Sequence, residues 1–269
     1  MMELEIGFTA SPKPVEEYFK FAADNGFPRL DLGCESPVNF PQTFTAQRVR
    51  RIKRLAEKHG IRYGLHSASF VNTAEIMPTV RKASEEHLLE YIRLSKELSA
   101  EYCVIHCGYH FSLFKEVVME NLLRTLRAAV RLAEKIRLPL VIENMNVVHP
   151  DCEIVYLGVT VDELAQVFGA IPSPYLGLAL DLGHANLLPG GADPFIETFP
   201  DKICHLHISD NNGVLDQHLR VGEGNINFKS IFGRLEEIGF AGTATLEVSS
   251  DEDRVESRRR LLSLLNPGQ

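Results

Sequence analysis

The stretch Leu176-Gly177-Leu178-Ala179-Leu180-Asp181-Leu182-Gly183-His184 is an apolar run that stops on an aspartate and resumes into a histidine. A short apolar run without polar alternation is the mark of a strand covered on both faces, as parallel strands are when helices pack over the sheet. A carboxylate closing such a strand is costly to bury unless it meets a partner or a cation. The same grammar recurs on either side: Gly64-Leu65-His66, Val104-Ile105-His106, Val141-Ile142-Glu143-Asn144, His205-Leu206-His207 and Leu246-Glu247 each end an apolar run on a polar group.

These runs belong to eight predicted strands: Leu4 to Phe8, Arg29 to Gly33, Arg62 to His66, Tyr102 to Cys107, Leu140 to Asn144, Leu176 to Asp181, Ile203 to Ser209 and Thr243 to Val248. Amphipathic helical patterns lie between them, as repeated βα units around a parallel sheet require. Glycine precedes the next strand at Gly26, Gly60 and Gly239, where it can take the left-handed cap of the preceding helix. Leu113 to Arg137 reads as one long helix, closed by Leu138-Pro139. Roughly 250 residues is the usual size of a one-domain barrel. The 269 residues are therefore expected to form one α/β domain over 1–269, a single (β/α)8 TIM barrel. A doubly wound sheet would want a glycine-rich nucleotide loop after its first strand, which is lacking; Gly222-Glu223-Gly224 follows the seventh strand and reads as a turn.

A hydrophobic fraction of 45% and a charged fraction of 24% fit a soluble domain with a filled core. The opening MMELEIGFTA lacks the basic and apolar regions of a signal peptide, and no apolar run is long enough to span a membrane, so a cytoplasmic location is expected. The five cysteines are scattered without CxxC spacing and read as reduced thiols, with Cys103 and Cys204 expected in the core. A net charge of −8 works against binding a phosphate backbone.

In such barrels the C-terminal strand ends and the loops after them form one active face. Six consecutive strands contribute metal-capable groups there, joined by His184 and by Asp216-Gln217-His218 from the loop after the seventh strand. Residues two apart on a strand share a face, so Val141, Ala179 and Gly177, and Thr245 and Thr243, lie inward below Glu143, Asp181 and Glu247, leaving room for a pocket. The same parity places His205 beneath His207. Each histidine alone reads as an ordinary rim or core residue, but three carboxylates facing one another call for a cation. Mixed imidazole and carboxylate donors suit Zn, Mn, Fe or Co.

Taken together, His66, His106, Glu143-Asn144, the run from Gly177 to His184, and His207-Ile208-Ser209-Asp210 through Asp216-Gln217-His218 to Gly222-Glu223-Gly224-Asn225 resemble the xylose isomerase-like barrel superfamily, which includes sugar isomerases, epimerases and endonuclease IV. For the isomerases and epimerases, the resemblance implies one divalent metal (Zn, Mn, Mg or Co) held by Glu143, Asp181, His207 and Glu247. For the trinuclear zinc endonucleases it implies up to three ions, with His66, His106, His184, Asp216 and His218 as further ligands. The flanking sequence departs from endonuclease IV: Ile6-Gly7-Phe8-Thr9 stands where Gly-Ala-His is expected, Met145-Asn146 follows Glu143-Asn144, and Asp181-Leu182-Gly183-His184 replaces Asp-Thr-Cys-His.

The expected activity is isomerisation or epimerisation of a small sugar, sugar phosphate or polyol, with Glu143 and Glu247 passing the proton at a divalent metal. His66, His106, His184, His218 and Arg220 are expected to orient substrate hydroxyl or phosphate groups. Phe8, Phe40 and Phe70 are candidates to cover the apolar sugar face, with core packing the alternative. A dehydratase would use the same proton abstraction. The alternatives of other classes are a zinc-dependent phosphodiester hydrolase acting on abasic DNA and a non-catalytic sugar-binding barrel. The acidic loop from Ser209 to Asn227 offers Arg220 alone against Asp210, Asp216 and Glu223, which speaks against nucleic acid as a partner. The sequence permits a homo-oligomer.

Overall fold

In the computed structural model, which describes residues 4–111, 114–148 and 152–265, the apolar runs pair in parallel and close on themselves. The barrel strands are Glu5–Ala10, Arg29–Gly33, Arg62–His66, Cys103–Ile105, Leu140–Glu143, Leu176–Asp181, Ile203–Ile208 and Thr243–Leu246, the first pairing with both the second and the last. Closure leaves no free edge, so every strand is buried between the lumen and the helical layer. Leu30, Leu65, Ile105, Ile142, Leu178, Leu206 and Leu246 point outward into that layer and join one continuous core with the helices.

The fourth strand stops at Ile105, two residues short of the expected end. Beyond it Gly108 takes φ +79° and the chain turns into a short ribbon, Tyr109–His110 antiparallel to Val155–Tyr156, at the barrel mouth. The long helix runs Lys115–Ile136, and its expected first residue, Leu113, lies outside the described residues. The link from the sixth strand to the seventh carries two short helices, Leu182–Asn186 and Asp193–Thr198. The caps form as expected at Gly26, Gly60 and Gly239, with φ of +70°, +65° and +72°. Among the described residues no helix is long and apolar enough to cross a membrane.

One expectation fails in the seventh strand. Leu178 pairs with Ile203 but Ala179 pairs with His205, so the ladder skips Cys204, and that residue is exposed while Cys103 is buried. A bulge of this kind re-aims the residues that follow it. Here it brings His205 and His207 opposite Ala179 and Asp181.

The lumen is filled in layers. Tyr102, Val104, Val141 and Ala179 form an apolar cluster separate from the outer core. Beside it lie buried Asp31, His205 and Thr245, with Arg29 fully buried at the barrel floor against Tyr102, Glu5 and Glu101. Tyr102 fits because position 64 has no side chain: a Cβ there would lie 2.2 Å from Cε2 of the ring. Overpacking a filled interior costs about 1–3 kcal/mol. Gly64→Ala is therefore expected to lower stability by that amount, read from the midpoint of chemical denaturation at unchanged slope; an unchanged midpoint would refute the packing argument.

Candidate metal centre

Strand register alone assembles the centre. Asp181 pairs with His207, which pairs in turn with Thr245 two residues below Glu247, and Glu143 ends the neighbouring fifth strand beside Ala179. Asn144 locks the fifth strand to the sixth: its Oδ1 accepts from Asp181 N at 2.7 Å, and its Nδ2 donates to Asp181 O at 3.0 Å. This explains why an amide follows the glutamate. The donor atoms of Glu143, Asp181, His207 and Glu247 consequently lie within 4.8 Å of one another.

Two further groups share the same mouth. His66 and His106 direct Nε2 at Glu143 Oε2, at 3.2 and 3.1 Å. His184 and His218 direct Nε2 at Asp216 Oδ2, at 3.3 and 3.2 Å. Each of the latter two donates Nδ1–H to a backbone carbonyl at 2.7 Å, His184 to Asn144 and His218 to Glu247, which fixes the tautomer and leaves Nε2 free to ligate. His218 holds a left-handed backbone, φ +48°, to do so. The open space above these groups measures about 530 Å³.

The electrostatics are those of buried carboxylates and imidazoles that shift one another's protonation. Burial pushes the Asp181 carboxyl up to about 6, with the negative charges of Glu143 and Glu247 adding to the effect and His184 opposing it. Burial pushes Glu143 the same way, yet His207, His106 and His66 hold it well below the usual carboxylate range. Burial would lower His66, but Glu143 and Glu247 raise it to about 9, and Asp216 and Glu247 likewise raise His218 to about 10. Several buried polar atoms have no hydrogen-bond partner: Asp181 Oδ2, both nitrogens of His207, His66 Nδ1 and Asp216 Oδ1. Such orphans are rare in folded proteins unless something else satisfies them. The oxygen and imidazole donor set fits a divalent ion of the Zn, Mn, Fe or Co type, and the clusters can hold one.

Of the expected site residues, Asp181 and His207 lie fully buried beneath the cavity within the donor cluster, and Arg220 is turned away from it altogether. It leans onto the last helix, Asp251–Leu265, where Asp253 takes its Nε at 2.7 Å and Glu252 its Nη2 at 3.4 Å. The turn after His218 carries the side chain outward, so the clamp expected of it has no geometric basis. Arg254 lines the cavity instead, anchored to Ser11 O and Thr9 O at 3.1 and 3.3 Å. Phe8 is a core residue among Tyr18, Phe21 and Phe27, and Phe40 pairs with the exposed Phe70 apart from the cavity lining. Sequence reasoning also missed Thr9, whose hydroxyl donates to Glu247 Oε1 at 3.0 Å, and Glu35, held at the mouth by Ser69. Thr9 lies on the first strand's inward face and strand parity would have found it; Glu35 and Arg254 carry no such signal.

Residues 19–266 match the model of a family described as xylose isomerase-like TIM barrel. An uncharacterised protein of Methanocaldococcus jannaschii is 31% identical over 94% of this chain and 86% of its own. A fructoselysine 3-epimerase of Shigella flexneri is 23% identical over 92% of this chain and 91% of its own. Among solved structures, a D-tagatose 3-epimerase-like protein superposes with a TM-score of 0.88 at 28% identity, covering 98% of both chains. With the match spanning nearly all its strands, the chain belongs to the xylose isomerase-like TIM barrel family.

Proposed function

We propose that the protein is a divalent-metal-dependent epimerase or isomerase of a small sugar, sugar phosphate or polyol. The observation that carries this reading is the pair Glu143 and Glu247 meeting in one cavity within a four-donor cluster. A bound dication would polarise adjacent carbonyl and hydroxyl oxygens and so acidify the C–H between them. Glu143 and Glu247 then stand to take that proton from one side and return one from the other. Asp181 and His207 would hold the ion, and His66, His106, His184 and His218 would orient hydroxyl groups around it. The likeness to sugar 3-epimerases supports the same reading.

The test is incubation of Mn-, Co- or Zn-loaded protein with a panel of ketoses and ketose phosphates in deuterium oxide. Deuterium appearing at a carbon beside the carbonyl, together with the epimeric or isomeric product, is the expected result. A panel without exchange, combined with incision of an abasic oligonucleotide, would reverse the ranking. That second reading, a zinc-dependent phosphodiester hydrolase, is favoured by one observation: His66, His106, His184, Asp216 and His218 all join the same mouth. Against it, Arg254 is buried and already engaged, and Arg220 is turned away, so phosphate contacts are few.

A further inference from the structure

We infer that Asp31, in the second strand, is the positioning residue that fixes how His207 meets the metal; the inference rests on the metal reading above. Asp31 is fully buried beneath the centre, and its carboxylate contacts four side chains. Tyr102 OH donates to Oδ1. At Oδ2, Thr245 Oγ1 donates at 3.0 Å, His205 Nε2 lies at 3.0 Å, and His207 Nε2 lies at 3.5 Å. Hydrogen bonds from separate strands thus hold both oxygens, and Oδ2 stands at ion-pair distance from His207 Nε2, which has no hydrogen-bond partner of its own.

The ring of His207 stands between two acidic layers. Its Nε2 faces Asp31 below, while its Nδ1 faces Glu143 Oε1 at 3.1 Å and Glu247 Oε1 at 3.6 Å above. Only one neutral tautomer serves a cation in the upper layer, the one with the proton on Nε2 and the lone pair on Nδ1. A carboxylate against Nε2 selects that tautomer and raises the basicity of the ligating nitrogen. His205 supports the arrangement from below: its Nδ1 lies 2.7 Å from Thr243 Oγ1, and its ring meets that of His207 edge-on at 5.1 Å. Arg29, whose Nη2 reaches Tyr102 OH at 3.4 Å, places a positive charge on the far side and keeps the buried carboxylate tolerable. Asp31 is not among the residues that line the cavity.

Asp31→Asn keeps the shape but replaces an acceptor with an amide that can donate to Nε2, favouring the tautomer with the proton on Nδ1. The experiment titrates metal-stripped wild type and D31N with Mn²⁺ by calorimetry, with circular dichroism to establish that both are folded. The expected result is a dissociation constant raised about 10- to 100-fold in the variant, the range typical of outer-shell partners of a metal ligand. A folded variant with the wild-type constant overturns the role of Asp31. Wild type that takes up no Mn²⁺, Co²⁺ or Zn²⁺ removes the metal reading itself, and the role of Asp31 with it. Should D31N not fold, histidine ¹H–¹⁵N spectra of Zn-loaded wild type decide: a proton on Nε2 of His207 upholds the inference, and a proton on Nδ1 overturns it.

Discussion

Glu247→Gln is expected to lower kcat by about 10²- to 10⁴-fold, the usual worth of a positioned general acid or base, while leaving the barrel folded. Glu247 is the more open of the two glutamates, its side chain 12% exposed against 3% for Glu143. Its Oε1 is steadied by Thr9 at 3.0 Å, with His66 and His207 at 3.7 and 3.6 Å, and the residue lines the cavity where substrate would sit. The amide is isosteric and retains an oxygen donor, so metal affinity should fall far less than turnover. Glu143 differs in kind. Its two oxygens meet four imidazoles, His66 and His106 on Oε2 and His184 and His207 on Oε1, at 3.1 to 3.4 Å. Glu143→Gln would remove the charge at the centre of the cluster and could set an amide N–H against Nε2 of His66 and His106, which need an acceptor there, so metal affinity and turnover should fall together. Steady-state kinetics paired with metal titration separate the two patterns. An E247Q protein turning over within about threefold of wild type would remove Glu247 from proton transfer.

The asymmetry between these two glutamates was not legible in the sequence, whereas their convergence was. Glu143, Asp181 and Glu247 each close an apolar run, and a closed parallel barrel sends every such end to one mouth, so strand position carried the information. What surrounds each carboxylate depends on side chains from strands distant in sequence. Asp31 shows this most clearly. Leu30-Asp31-Leu32 has the alternation of a strand with one solvated face, and nothing local distinguishes water from a polar lumen. Its partner His205 is 174 residues away, and sequence parity could point that histidine inward without showing what it would meet. Arg220 failed for a related reason: nearness in sequence to His218 says little about direction once the chain turns, and acidic residues of the last helix captured it. Cys204 was misplaced because an apolar run marks a strand without showing which of its residues a bulge leaves out of the ladder.

Removal of divalent metal is expected to abolish turnover and, in addition, to give stability and metal affinity opposite dependences on pH. Without a cation the cluster is held together by protonated imidazoles, with His66 raised to about 9 and His218 to about 10, and His184 and His207 raised well above the ordinary value. An unfolded histidine titrates near about 6.5. Folded-state values above the unfolded one mean that the folded chain binds more protons, so stability falls as pH rises. The contribution is fully present below about pH 6.5 and is lost as pH climbs through 9 to 10. The Tm of the metal-stripped protein should therefore drop across that window. Metal affinity should climb over the same range, because His207 must give up its proton to ligate and the charged imidazoles around it repel a dication, and binding should release protons to the buffer. Loaded protein, with the dication in place of those protons, should show a flatter Tm profile. Scanning calorimetry of chelated and Mn-loaded samples between pH 6.5 and 10, with Mn²⁺ titrations in buffers of different ionisation enthalpy, reads all three quantities. A stripped-protein Tm that stays level or rises, or an affinity that weakens with pH, would show that protons on these histidines do not compete with a metal in the cluster.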